Sequence, residues 1–321
     1  MALLTDKRIR RIAYFSAAVP QHYLVPTSLY RGRLDRLLRG LDDEELARLG
    51  ERIGYYCKLD EPFGVSDGAV TLKGVPSNRQ TMYYYDLRAM MRCFPPQVRI
   101  DYQFGDVNWV MDHPSLVKSR PISDDNANNV LLKLNRIRHF FPLDDPFRYE
   151  DKRDLLVWRG AGGQRHRNDF LRKYRHHPMC DVGQVNEPTA DGQPDWVKPK
   201  MTVKEQLRYK FILSIEGNDV ASNLKWISQS NSLCLMVRPK FETWFMEGRL
   251  VPGTHYVELR DDYADLPEKI DHYLANPDEA KAIIANFQAY YRIFTDVRRE
   301  ELLCLLVMKK FLALSGQLAS A

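Results

Sequence analysis

Cysteine is sparse in this 321-residue chain: Cys57, Cys93, Cys180, Cys234 and Cys304 are odd in number and scattered, with no Cys-x-x-Cys pair. That argues against a disulfide framework or a zinc knuckle and suits a reducing compartment. No stretch approaches the roughly 20 consecutive apolar residues of a membrane-spanning helix. Internal repeats and low-complexity tracts are missing, which argues against solenoids and propellers. No strand candidate is followed by Gly-x-Gly-x-x-Gly, and Gly162-Gly163 lacks the Lys-Ser/Thr of a P-loop, so dehydrogenase and kinase readings lose support. His176-His177 has no second cluster to complete a metal shell.

What is there is ordinary for a globular protein: 44% apolar and 28% charged residues, in a chain long enough for two domains. The net charge of +5 is unevenly placed, with +6 in the first 40 residues and −1 in the rest. This patch reads either as a solvated face or as a contact for anionic lipid headgroups or a phosphorylated acceptor. The run Ile12–Val19 behind it contains a tyrosine and a serine and ends at Pro20 without a small-x-small site, so the expectation is mature protein rather than a secretory signal.

The first half mixes signals. Residues 44–54 and 82–93 have helical spacing, while 69–75, 98–107, 115–122 and 130–138 look extended. The second half is regular, with strand candidates at 154–158, 180–185, 210–216, 233–237 and 255–259 alternating with helical segments, the pattern of parallel βα units. Thr202 with Glu205 makes a capping box, Pro267 follows Asp265, and Asn276-Pro277 opens a helix running to Phe294. A last apolar helix after Thr295 must pack, and the expectation is packing back on the first domain. Pro142–Arg153 reads as a linker. The expected division is 1–148, 149–295 and the helix 296–321.

Within "LLVWRGAGGQRHRNDFLRKY" (155–174), a buried strand enters a small-residue turn and then a basic amphipathic helix. In an open α/β sheet such a turn binds ligands, and helix amides favour an anion; an ordinary connection with solvated arginines is the other reading. Together with "YQFGDVNWVMDHPSLVKSRPI" (102–122), "FILSIEGNDVASNLKWISQSNSLCLMV" (211–237) and "RPKFETWFMEGRLVPGTHYVEL" (238–259), this series resembles glycosyltransferase family 90 over about residues 100–295. That family includes protein O-glucosyltransferases, fungal capsule xylosyltransferases and bacterial lipopolysaccharide-modifying proteins, and the bacterial branch is the nearest.

The resemblance implies a GT-B-like α/β fold, two Rossmann-like domains facing across a cleft, the first on the acceptor side and the second holding a nucleotide sugar. It implies inverting transfer of a sugar, usually glucose or xylose, from UDP to a hydroxyl of a glycan, lipopolysaccharide or lipid-linked acceptor, with no metal or other cofactor. The chain carries no Asp-x-Asp of the kind that holds a divalent ion on a diphosphate. The family's base is an Asp at a strand end, matched here by Asp106 of FGDV, with Asp112 of MDHP as runner-up. For the donor the expected residues are Arg167, Arg159 and Gly160, then Ser222, Asn223 and Lys225, where eukaryotic members have an arginine. Glu242, placed at a helix start after Pro239, is the expected ribose partner, with a first-turn charge as the plainer reading. Lys118 and Arg120, on one face of a strand, and Trp109 are candidates for sugar or acceptor contacts, although a core position is the commoner fate of a tryptophan. The competing expectation is a noncatalytic protein binding an anionic glycan or nucleic acid through its basic surface. Basic residues do not interleave with aromatics, which weakens the nucleic-acid version. The expected location is the cytoplasm, at the inner membrane surface.

Overall fold

The computed structural model describes residues 7–77, 80–188 and 192–318. Helices α1 (Lys7–Leu24), α2 (Arg33–Leu38), α3 (Asp43–Tyr56) and α4 (Thr81–Met91) lead into short strands β1 (Tyr102–Gln103), β2 (Ser115–Val117), β3 (Ser119–Pro121) and β4 (Asn129–Leu131), then α5 (Arg136–His139). Next come β5 (Arg153–Gly160), α6 (Arg165–Tyr174), β6 (Cys180–Gln184), α7 (Val203–Gln206), β7 (Tyr209–Leu213), α8 (Leu224–Ile227) and β8 (Leu233–Val237). Strands β9 (Phe241–Thr243) and β10 (Val257–Leu259) precede α9 (Leu266–Ala275), α10 (Pro277–Arg292) and α11 (Val297–Leu314). The described residues form two units: one from Lys7, His139–Pro239 and Arg249–Ile293, the other from Arg8–Arg138, Lys240–Gly248 and residues 294–318.

The first unit is built on a five-stranded parallel sheet in the order β10-β8-β7-β5-β6. Its central strands β7 and β8 are near-continuous apolar runs, the pattern of a parallel sheet covered on both faces. On one face Leu156, Trp158, Val182, Phe211, Leu213, Leu233, Leu235 and Val257 meet Phe170 and Leu171 of α6, Leu266 and Ile270 of α9, and Ile283 of α10. The alternate residues Val157, Ile212 and Cys234 are as fully buried on the other face. The Thr202 capping box forms: Thr202 Oγ1 accepts from Glu205 N at 3.2 Å, and Glu205 Oε2 accepts from Thr202 N at 2.6 Å. In this order the chain starts at β5, steps out to β6 and returns past β5 to β7. The connections leaving β5 and β7 therefore diverge at the carboxyl ends of those strands and open a crevice there.

The second unit carries a three-stranded parallel sheet, β1-β2-β4, and a two-stranded antiparallel pair, β3-β9. Its extended stretches are shorter than their composition suggests. Residues 69–75 give one bridge, Val70 to Ile100, and a 3-10 turn, and residues 98–107 give only the two-residue β1. Residues 130–138 split at Asn135, whose φ is +58°, and α5 begins where Asp86 Oδ2 accepts from Arg136 N at 3.0 Å. Helix α11 packs on α2, α3 and α4 through a face that includes Leu302, Leu305, Met308, Phe311 and Leu312. In this core Glu300, 3% exposed, takes Arg52 Nη1 at 2.7 Å, Lys133 Nζ at 2.8 Å and Trp244 Nε1 at 2.6 Å.

Candidate functional site

At the β5–β7 switch point the WRG motif works as a packing unit. A Cβ on Gly160 would lie 2.4 Å from the Trp158 ring, so only glycine lets the indole fold back along its own strand. Arg167, one turn into α6, lies over the same ring at 5.7 Å. Its guanidinium ties the two diverging loops together: Nη1 donates to Ala161 O at 2.7 Å, Nε to Glu216 O at 2.8 Å and Nη2 to Ile215 O at 2.9 Å. His166 Nε2 lies 2.8 Å from Glu216 O, and Gln164 Nε2 donates to Asn218 Oδ1 at 3.3 Å. Gly217, on the facing loop, has room for a Cβ only 3.3 Å from Arg167 Nη2.

Several expected donor residues are committed elsewhere. Arg159 is 7% exposed in its side chain and binds Asp181 Oδ1 through Nη2 at 2.7 Å, with Nη1 on Asp181 O and Nε on Pro199 O. Three donors, Arg159, Lys198 and the Tyr209 hydroxyl, converge on Asp181 and outweigh its burial, holding its carboxyl far below the ordinary range. Arg159 is thus a strut between β5 and β6. The loop amides are spoken for too, Gly162 N by Asn186 Oδ1 at 2.7 Å and Gly163 N by Asn168 Oδ1 at 3.2 Å. Asn223 closes the turn after β7, with Nδ2 on Leu213 O at 2.9 Å and Oδ1 accepting from Ser214 Oγ at 3.1 Å. Ser222 beside it is half-buried, and Lys225 is fully buried. The sequence motifs did not single out Gln164, His166, Asn168 or Asn186, because single polar residues in a loop carry no periodic signal.

In the second unit Asp106 and Lys118 meet. Asp106 follows the carboxyl end of β1, and Lys118 directly follows β2, the neighbouring parallel strand. Lys118 Nζ donates to Asp106 Oδ1 at 2.7 Å; the lysine side chain is 2% exposed and the aspartate side chain 33%. Ser119 Oγ pins the same loop by accepting from Val107 N at 3.1 Å and donating to Val107 O at 3.2 Å. A desolvated ammonium thus holds a solvent-reachable carboxylate in one orientation. Asp112 is exposed and sits at the other end of the sheet, where its neighbour Met111 N donates at 2.8 Å to the side chain of Asn129, the first residue of β4. Ligands of parallel sheets bind at carboxyl ends, the Asp106 end.

Two expectations in this unit are corrected. Glu242 does not start a helix: it lies in β9, opposite Arg120 of β3 in antiparallel register. Cross-strand pairing of opposite charges decides its place, with Arg120 Nε on Glu242 Oε1 at 2.7 Å and the Tyr55 hydroxyl on Oε2. Lys118 and Arg120 do not share an outward face, because the strand breaks at Lys118 and each reaches its own carboxylate. Arg120 is fully buried, with Nη2 on Tyr55 O at 2.7 Å. Trp109, the candidate sugar contact, is 48% exposed rather than in the core, its carbonyl held by Asn129 Nδ2 at 3.0 Å. Among the described residues no group of three or more His, Cys, Asp or Glu side chains is placed to hold a metal ion.

Residues 142–310 match the family model described as glycosyl transferase family 90. The chain is 47% identical over 268 residues to the O-glucosyltransferase LpsA of Dichelobacter nodosus, covering 84% of each chain. It is 28% identical over 209 residues to protein 035R of Invertebrate iridescent virus 3, across 63% of this chain but 17% of the viral one.

Proposed function

Since the chain belongs to glycosyl transferase family 90 and is a glycosyltransferase, we propose that it moves a sugar with inversion, without a metal ion, from UDP to a hydroxyl of a lipopolysaccharide-type or lipid-linked acceptor. The observation that carries this reading is the Asp106–Lys118 pair, a carboxylate oriented by a buried cation and open to solvent at the carboxyl end of a parallel sheet. Inverting transfer needs one such base, which takes the acceptor proton while the alcohol attacks the anomeric carbon opposite the departing UDP. Lys118 is its positioning residue. In this reading the unit with the five-stranded sheet holds the donor and the other unit supplies the base, as in a GT-B enzyme. The name of the bacterial relative favours glucose as the sugar, and the enzyme works in the cytoplasm at the inner membrane surface.

The diphosphate is assigned to the crevice between residues 160–167 and 214–218, where the loops framed by Arg167 meet the amino end of α6. A lysine has no planar fork with which to span Ala161, Ile215 and Glu216 at once. Arg167→Lys is expected to weaken UDP binding by about 1–2 kcal/mol, read by calorimetry. The reading as a whole is tested by UDP release from UDP-glucose and UDP-xylose in the presence of EDTA, with and without lipopolysaccharide. Acceptor-stimulated release supports it; release that needs an added divalent ion removes the metal-independent part.

A further inference from the structure

We infer that α1 lies on an anionic lipid surface, its solvent-facing stripe set among the lipids and the arginines around it against headgroup phosphates. The helix reads KRIRRIAYFSAAVPQHYL. At about 100° per residue, Ile9, Ile12, Ala13, Ser16, Ala17 and Leu24 share one side. All six are exposed and none is charged. Ile12 is 70% exposed, Leu24 77%, and Leu29, just beyond the helix, 64%. A solvated surface helix turns charged residues toward water on its open side, whereas this side carries no charge and only Ser16 as a hydroxyl among its six residues.

The orientation is imposed from the inside. The Tyr14 hydroxyl donates to Asp86 Oδ1 at 2.8 Å, and Asp86 is itself buried and bonded to Arg136. Phe15 packs edge-on against Tyr85. Arg92 holds the end of the helix by donating to Gln21 O at 2.8 Å and to Val25 O, and its guanidinium lies 3.8 Å from the centre of the Tyr30 ring. With Tyr14 and Phe15 turned inward, the opposite stripe has no choice but to face out.

Charge selects the occupant. The first 40 residues carry +6, and Arg31, Arg36 and Arg39, beyond the helix, are exposed. A second copy of this chain would cover the apolar stripe but would bring two such basic surfaces together. An anionic bilayer offers hydrocarbon to Ile12 and Leu24 and phosphate to the arginines at once. No helix among the described residues is long and apolar enough to cross a membrane, so α1 lies in the interface plane rather than spanning it. The inference rests on the reading of the acceptor as lipid-linked, since it places the enzyme where such acceptors are.

The test uses the full chain, without donor or acceptor, sedimented with vesicles of phosphatidylcholine and phosphatidylglycerol in equal parts and with vesicles of phosphatidylcholine alone. Its outcome therefore does not depend on whether transfer occurs. Binding to the anionic vesicles only is expected. Ile12→Glu with Leu24→Glu, both at exposed positions, should lower the partition coefficient about a hundredfold with the circular-dichroism spectrum unchanged. Arg36→Gln and Arg39→Gln should each lower it about fivefold at low salt. Absence of binding by the unsubstituted chain, or equal binding by the double glutamate variant, overturns the inference. So does a dimer in solution that this variant converts to a monomer, which would make the stripe a self-association face.

Discussion

Asp106→Asn is expected to lower the rate of sugar transfer by about 10²–10⁴-fold, the usual contribution of a positioned general base. Its affinity for UDP, measured by calorimetry, should stay within a factor of two or so, because the diphosphate is assigned to the other unit. The amide keeps the shape of the carboxylate and still accepts from Lys118, but it cannot take a proton from an alcohol. The substitution also leaves the buried Lys118 ammonium without its counter-charge, so some loss of stability accompanies it. Asp112→Asn is the control: that side chain is exposed at the amino end of the sheet, and transfer should persist. Full activity in Asp106→Asn, or its loss only in Asp112→Asn, would exchange the two assignments.

The largest effect on stability is expected at Glu300. Its two oxygens answer two buried cations, Arg52 on Oε1 and Lys133 on Oε2, and the indole of Trp244 besides. Trp244 in turn stacks on Tyr56 at 3.8 Å, and the Tyr56 hydroxyl accepts from Arg52 and donates to Trp244 O. Glu300→Gln preserves the volume and one acceptor but leaves two positive charges in the core of α3, β4 and α11. Breaking a buried pair in this way costs about 3–5 kcal/mol. The loss is read from urea unfolding as a fall in the midpoint with an unchanged slope. A loss below about 1 kcal/mol would mean that water reaches this cluster and screens it.

The central strands of the first unit were legible because β7 and β8 are near-continuous apolar runs bounded by polar loops. Capping chemistry, as at Thr202, marked helix starts correctly because it is local. The order of the strands was not legible, since β5 and β6 exchange no sequence signal with β10. The second unit hid itself for a different reason. Its strands are two or three residues long, and its irregular chain is held by side chains bonding to backbone, as Ser119 does at Val107 and Asn129 at Met111. Glu242 shows the limit most clearly: Pro239 suggested a helix start, and a partner 122 residues away decided otherwise. The pairing of Asp106 with Lys118 spans only 12 residues, yet it depends on two parallel strands bringing their ends together.

The mechanism claims a single displacement driven by one carboxylate, and stereochemistry answers that claim without knowledge of the natural acceptor. Proton NMR of the sugar released or transferred from UDP-glucose, whose anomeric centre is α, should show the β anomer as the first product, before any mutarotation. An α product would require a second nucleophile or a different chemistry, and the role given to Asp106 would fall with it.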